Sequence, residues 1–197
     1  MNEFIYGIQN FGNFKLINNN FINSSSIIKD YSYNNYLIKW IEEEINKKFI
    51  KFELIFRMSE NGTNSEDFHK YCDNRGPTLT LIKTTNNKIF GGFTPLSWKS
   101  QGCLIKDLNK QTFIFSLDLK KKYKLLNENT DGIFCFHIFG PNFGGFSFWL
   151  NQNMKIGEVH TNKVYNLFLE DNSKKKGKEG EYESFEVDDF EVYKVIY

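Results

Sequence analysis

The chain has 197 residues, of which 40% are hydrophobic and 17% aromatic, including 21 Phe and 10 Tyr. This much apolar material excludes a chain that is disordered throughout, and the length fits one domain of roughly 100–200 residues. The 25 basic and 24 acidic residues leave a net charge of +1, so no overall field attracts nucleic acid or an anionic membrane. The composition predicts one globular domain with no nucleic-acid partner.

The beginning of the chain and its cysteines bear on the compartment. Residues 1–14 include acidic Glu3 and lack the basic end and apolar run of a signal peptide. No stretch approaches the ~18 uninterrupted apolar residues of a membrane-spanning helix. Cys72, Cys103 and Cys135 form neither a CxxC pair nor an even disulfide framework. We therefore expect a cytoplasmic protein without membrane insertion.

The first part of the chain differs in pattern from the rest. Residues 1–35 scatter apolar side chains among Asn and Ser with neither helical nor strand periodicity, which predicts an N-terminal extension. Residues 36–197 form the predicted domain. It opens with an amphipathic helix, because four aliphatic residues share one helical face: Leu37, Ile38, Ile41 and Ile45.

Short strands dominate the predicted domain. Alternation in Lys51–Arg57 predicts a first strand, and Ser65 followed by two acidic residues predicts the N-cap of a short helix that ends before Gly76. A basic run at 174–181 is interpreted as a solvated loop. The other predicted strands are 78–83, 88–94, 112–117, 132–139, 145–150, 163–169 and 184–197, the last with a bulge near Asp188 and Asp189. Many short strands with few helices are typical of an antiparallel two-sheet β-sandwich flanked by short helices.

His69 and Cys72 give the sharpest catalytic signal. They stand three residues apart on the predicted short helix, so they share a face and could form a thiolate–imidazole pair. The competing interpretation is a buried structural Cys72, because free cysteine is among the most buried residue types. The remaining cysteines and histidines show no second paired spacing for a metal, and no phosphate loop, catalytic triad or HExxH motif occurs. We therefore predict no cofactor and no metal site.

Several blocks of sequence follow one another in a fixed order over about three quarters of the chain. The blocks are FELIFRMSENG at 52–62, FHKYCDNRGPTL at 68–79, IFGGFT at 89–94 with Trp98, FIFSL at 113–117, FGPNFGG at 139–145 and FEVDDFEVY at 185–193. In this order they resemble the TLDc domain family. One departure is Phe146-Ser147-Phe148, where many members carry an acidic residue just after the second glycine pair.

The resemblance implies a fold, a set of constrained positions and a type of function. The implied fold is a sandwich of two antiparallel sheets with a few helices. Family members are linked to protection against oxidative damage and to binding the peripheral sector of the vacuolar proton-pumping ATPase, without an agreed catalytic mechanism. The positions constrained by structure or motif are Asp73, Gly91, Gly92, Gly144, Gly145 and Glu191, of which Asp73 and Glu191 are the candidates for partner contact.

Three hypotheses follow. The leading one is a non-enzymatic protein-interaction domain that binds a protein partner, with subunits of the vacuolar proton-pumping ATPase as the candidate. The alternative is a thiol-dependent antioxidant enzyme that uses Cys72 with His69, which requires an exposed thiol with a depressed pKa. A third is a sandwich that binds a carbohydrate or peptide through loop aromatics.

Overall fold

The computed structural model describes residues 24–48, 51–124, 131–160 and 182–197. Within these ranges three helices are present: α1 Tyr31–Ile45, α2 Met58–Asn61 and α3 Ser65–Cys72. The strands are β1 Lys51–Arg57, β2 Thr78–Thr84, β3 Ile89–Thr94, β4 Cys103–Lys106, β5 Phe113–Ser116, β6 Lys121–Lys124, β7 Asp131–Cys135, β8 Asn142–Phe143, β9 Phe148–Leu150, β10 Ile156–His160 and β11 Tyr182–Ile196. The predicted mainly β class with a few short helices is confirmed.

The described strands pair antiparallel and are connected through the long strand β11. The order is β4-β7-β8-β9-β10-β11-β2-β3-β5-β6, with β1 on β11 as well. The beginning of β11 pairs with β10, whereas its later part pairs with β2 on one side and β1 on the other. Hydrogen bonding therefore joins the described strands into one large sheet. One half of this sheet contains β4, β7, β8, β9 and β10, the other half contains β1, β2, β3, β5 and β6, and β11 belongs to both.

The first core lies between these two halves. It contains Ile82 and Phe90 from the half that includes β2 and β3, and Phe143 and Phe148 from the half that includes β8 and β9. Phe68 of α3 completes it. Side chains from both halves therefore meet in one core, as they do between the facing sheets of a sandwich.

The second core lies on the opposite face of β2, β3 and β5, and α1 covers it. The helix contributes five residues that pack with side chains of these strands and of β11: Leu37, Ile38, Trp40, Ile41 and Ile45. A fully buried aliphatic side chain such as Leu37 or Ile41 contributes roughly 1.5–3 kcal/mol. Ile27 and Ile28 are also buried in this core, although they belong to the predicted extension.

Several boundaries differ from the prediction. The helix α1 begins at Tyr31 instead of residue 36, because Asp30 caps it by accepting a hydrogen bond from the Ser32 amide at 2.8 Å. Ser65 is not the N-cap of α3; Asn64 is, and its side chain accepts from the Asp67 amide at 2.9 Å. The bulge near Asp188 is confirmed by a register shift between Val187 and Asp189.

The remaining predicted segments fall into two groups. The segments 132–139 and 145–150 contain strands that are shorter than predicted, and β4, β6, β8 and β10 were not predicted. The predicted strand 163–169 and the loop 174–181 lie outside the described residues.

The division between an extension and a domain at residue 36 stays a prediction. Among the described helices, none combines the length and apolar character needed to cross a membrane.

Candidate functional site: a braced aromatic surface

Asp73 and His69 form a brace that joins α3 to two loops. The Asp73 carboxylate lies 2.7 Å from His69 Nδ1 and accepts a hydrogen bond from the Ser100 hydroxyl at 2.5 Å. On the other side of the ring, Nε2 donates towards the carbonyl oxygens of Phe136 and Phe139, both at 3.1 Å. His69 is buried and the Asp73 side chain is 19% exposed. The brace therefore fixes the turn that follows β7.

This brace cannot act as a hydrolytic triad. In such a triad a histidine accepts the serine proton while a carboxylate orients the ring from behind. Here the Ser100 hydroxyl is bonded to the carboxylate of Asp73, and both nitrogens of His69 already face other oxygen atoms. The arrangement positions loops and does not activate a nucleophile.

The turn held by His69 carries part of an aromatic cluster on the outer side of β7 and β9. We define the aromatic cluster as Phe134, Phe136, Phe139, Phe146 and Trp149. Its ring centroids lie 5.0 to 6.3 Å apart in successive contacts, for example 5.0 Å between Phe134 and Phe146. The four phenylalanines are only half-buried, whereas Trp149 is nearly buried beneath them. Exposed Leu104 is the ladder partner of Phe134 and extends this apolar surface to β4.

Gly144 and Gly145 place Phe146 in the aromatic cluster. Both glycines have positive φ angles, 62° and 54°, in the left-handed region that glycine adopts without steric cost. Phe146 itself has φ 70°, an uncommon conformation for a bulky residue, and its amide donates to the Asn142 side chain at 3.0 Å. The second predicted glycine pair thus makes the tight turn that presents an aromatic ring.

Gly91 and Gly92 serve close packing inside the sheet. A Cβ atom added at Gly91 would lie 1.9 Å from the Thr80 carbonyl oxygen, and one at Gly92 would lie 2.6 Å from the Phe143 ring. Neither position tolerates a larger residue without movement of backbone or of a core ring. Their role is structural, in agreement with the close approach predicted for a glycine pair inside a strand.

Glu191 fastens the segment before α1 to β11. We define the clasp as residues Ser24 to Ile28. The Glu191 carboxylate has no exposed surface and accepts bonds from the Ser25 hydroxyl at 2.7 Å and the Ser26 amide at 2.7 Å. Arg57 Nε donates to it at 2.9 Å, and the Tyr193 hydroxyl at 2.9 Å.

Arg57 completes the clasp from β1. Its guanidinium also donates to the Ser24 carbonyl and to Glu60. Burial alone would lower the pKa of Arg57, but the bonds to Glu60 and Glu191 outweigh it and raise this pKa above its ordinary value. Burial and the neighbouring Glu191 charge raise the pKa of Tyr193. A partner could therefore touch Glu191 only if the clasp moved away.

Comparison with known proteins agrees with this architecture. The model of the TLDc domain family matches residues 21–196, which is most of the chain. The chain belongs to the TLDc domain family. Among curated proteins it is similar to GTPase-activating protein skywalker of Drosophila melanogaster, with 25% identity over 134 residues, 57% of this chain and 22% of that protein. It is also similar to TBC1 domain family member 24 of Xenopus laevis, with 38% identity over 48 residues, 24% of this chain and 8% of that protein.

The chain spans less than a quarter of the length of these relatives. The similarity therefore concerns the TLDc domain and not their other parts. Within this TLDc domain the family match begins inside the predicted extension, before the clasp. The clasp was missed in the sequence because its two isoleucines stand among polar residues without any periodicity.

Cys72 of this TLDc domain does not have the environment of a reactive thiol. Its side chain is fully buried, and desolvation raises the pKa of its thiol well above the ordinary value, with a further contribution from the Asp73 charge. No hydrogen bond joins it to His69 in the described part of the chain, because the ring is committed to Asp73 and to two carbonyl groups. A thiolate nucleophile needs the opposite conditions. These observations do not support the predicted thiolate–imidazole pair.

A cavity of about 340 Å³ lies between the β2–β3 turn and the beginning of β11. Its lining is polar apart from one aromatic ring: Thr84, Thr85, Asn86, Lys88, Glu183, Ser184, Phe185 and Glu186. A sugar site usually presents aromatic faces beside a few polar groups. This lining does not favour the carbohydrate hypothesis. Across the described residues, no group of three or more His, Cys, Asp or Glu side chains is placed to hold a metal ion.

Proposed function

We propose that this TLDc domain is a cytoplasmic, non-enzymatic protein-interaction domain and that the aromatic cluster is its docking surface. The observation that carries the proposal is a group of four half-buried phenylalanines on one outer face, held in place by the Asp73–His69 brace. Phenylalanine and tryptophan are enriched at the centres of protein interfaces, where rigid aromatic side chains bury large areas at little entropic cost. Single exposed apolar residues are common, but adjoining ones mark interaction sites.

The charges beside the aromatic cluster support a partner that offers carboxylates as well as apolar side chains. Lys99, Lys106 and Lys110 are exposed around β4. The neighbouring acid Asp107 is buried and accepts a hydrogen bond from the Thr112 amide, and Asp73 is engaged in the brace. The β4 side of the surface is therefore basic, and a complementary partner would be acidic there.

The family resemblance supports a candidate partner. We propose subunits of the peripheral sector of the vacuolar proton-pumping ATPase, and we propose that protection against oxidative damage follows from this binding. Asp73, Gly144 and Gly145 contribute by shaping the surface. Glu191 contributes by holding the clasp, on which the position of α1 depends.

Co-purification of the tagged full chain with pump subunits from its own cells tests the proposal. The double variant Phe136→Ser/Phe139→Ser should lower recovery of the pump subunits at least about tenfold, because interface aromatics often contribute more than 1–2 kcal/mol each. Tyr31→Ser is the matched control, since Tyr31 is 53% exposed on α1 and lies away from the cluster. It should leave recovery unchanged.

A charge variant separates lost binding from lost folding. Lys99→Glu/Lys106→Glu changes only exposed side chains, so its thermal unfolding should match that of the wild type while its recovery of pump subunits falls. If wild type fails to recover pump subunits under conditions that keep the pump assembled and under conditions that dissociate it, the pump is not the partner. If the phenylalanine double variant and the lysine double variant both recover as much of the pump subunits as wild type does, the docking surface lies elsewhere.

A further inference from the structure

Two cysteines that are far apart in the sequence are direct neighbours in the sheet. Cys103, the first residue of β4, is the ladder partner of Cys135, the last residue of β7. Directly opposite residues of antiparallel strands point to the same face, with Cα atoms about 4.5 or 5.5 Å apart. Both distances fall within the range of about 4.4–6.8 Å that disulfides span. The backbone already has a geometry that a disulfide can adopt.

The two side chains also share one environment. Cys135 is 1% exposed within the first core, and Cys103 is a half-buried residue packed against the same core. Both are free thiols. Burial raises the pKa of the Cys135 thiol to about 12, an amide hydrogen bond from Lys99 opposes this rise, and the nearby Cys103 adds to it. The two thiols are therefore neighbours that face the same core.

We propose that Cys103 and Cys135 form a dithiol site that a hydroperoxide oxidises to a cross-strand disulfide. This site differs from the predicted Cys72–His69 pair, and it does not depend on partner binding through the aromatic cluster. The roles of the two residues follow from their exposure. Cys103 is the thiol that the oxidant reaches, and Cys135 is the resolving thiol beneath it.

The chemistry balances with one molecule of hydrogen peroxide. The sulfur of Cys103 attacks one peroxide oxygen, an S–O bond forms, the O–O bond breaks, and the departing hydroxide takes the thiol proton of Cys103 and leaves as water. The sulfur of Cys135 then attacks the resulting sulfenic acid; an S–S bond forms, the S–O bond breaks, and the thiol proton leaves with the second water. Two thiols lose two electrons in total, and the peroxide is reduced to two waters.

Peroxide treatment of the reduced full chain tests the site. After hydrogen peroxide is added and removed, the intact mass should fall by about 2 Da, and non-reducing peptide mapping should show the Cys103 peptide linked to the Cys135 peptide. Dithiothreitol should reverse both changes. Closure of a loop of about 30 residues should also raise Tm by about 5–10 °C, a shift that reduction abolishes.

Cysteine variants assign the roles. Cys72→Ser should form the same linked peptides as wild type. Cys135→Ala should leave a Cys103 sulfenic acid that dimedone traps, and Cys103→Ser should show neither the linkage nor trapping at Cys135. Because Cys135→Ala alters the core, its thermal unfolding is measured first, and Cys103→Ser gives a second, less buried variant. Unchanged thiols in wild type after excess peroxide, or a linkage that includes Cys72, would overturn the proposal.

Discussion

Two carboxylates that the sequence marked together, Glu191 and Asp73, occupy different surroundings. Glu191 is fully buried and receives donors from Ser25, Ser26, Arg57 and Tyr193. The Asp73 side chain is 19% exposed and has two partners, His69 and Ser100. Both join distant segments, but only Asp73 keeps contact with solvent.

This difference predicts how much each carboxylate contributes to stability. Removing one partner of a buried ion pair leaves an uncompensated charge without water, whereas a partly exposed group is hydrated after its partner is lost. The comparison also separates two faces of the domain. Glu191 seals the face under the clasp and α1, and Asp73 braces the outer face with the aromatic cluster.

The largest expected effect is that of Glu191→Ala. Without the carboxylate, Arg57 remains largely buried with one carboxylate partner instead of two, and the Ser25 hydroxyl and Ser26 amide lose their acceptor. We expect the free energy of unfolding to fall by about 3–5 kcal/mol in urea denaturation. Glu53→Ala, an exposed change on neighbouring β1, is the control and should shift it by less than about 0.5 kcal/mol. A loss for Glu191→Ala as small as that of the control would mean that the clasp does not stabilise the fold.

Tyr193→Phe should have a smaller effect, with a distinctive pH dependence. The variant removes one donor to Glu191 and should cost about 1–3 kcal/mol at neutral pH. The folded pKa of Tyr193 is raised above the unfolded value of about 10, so the protonated phenol stabilises the folded state fully below pH 10. This contribution is lost as the pH rises from 10 towards the folded pKa.

The pH dependence is measured as the difference between wild type and variant. The free energy of unfolding of wild type should fall more steeply above pH 10, by up to about 1.4 kcal/mol per pH unit, and the gap to Tyr193→Phe should narrow. Subtracting the two curves removes the titration of the other tyrosines and lysines. A constant gap from pH 7 to pH 11 would show that the Tyr193 phenol is not buried against Glu191.

The sequence was informative where one side-chain pattern decides the structure. Periodicity located α1 and the strands with strongly apolar faces, and the paired glycines marked close approach and a tight turn correctly. Periodicity failed for β4 and β6, because Leu104 of β4 and Lys121 and Lys124 of β6 are exposed and an edge strand needs no continuous apolar face. Spacing alone also favoured Cys72 with His69 over Cys103 with Cys135, whose pairing is set by the register of β4 on β7.

Of the two carboxylates, Asp73 is expected to contribute less, and Asp73→Ala should lower the free energy of unfolding by about 1–2 kcal/mol in the same urea assay. The variant removes the partner of His69 Nδ1, but water can reach the position, and the ring keeps its contacts with the Phe136 and Phe139 carbonyls. Ser100→Ala removes one hydroxyl from the same brace and should cost less than half as much.

Hydrogen exchange distinguishes the two carboxylates further. Asp73→Ala should speed exchange in the turn after β7 and leave the amides of the clasp unchanged, whereas Glu191→Ala should do the reverse. Faster exchange in both places for either variant would show that the brace and the clasp open as one cooperative unit, because two independently stabilised faces respond separately.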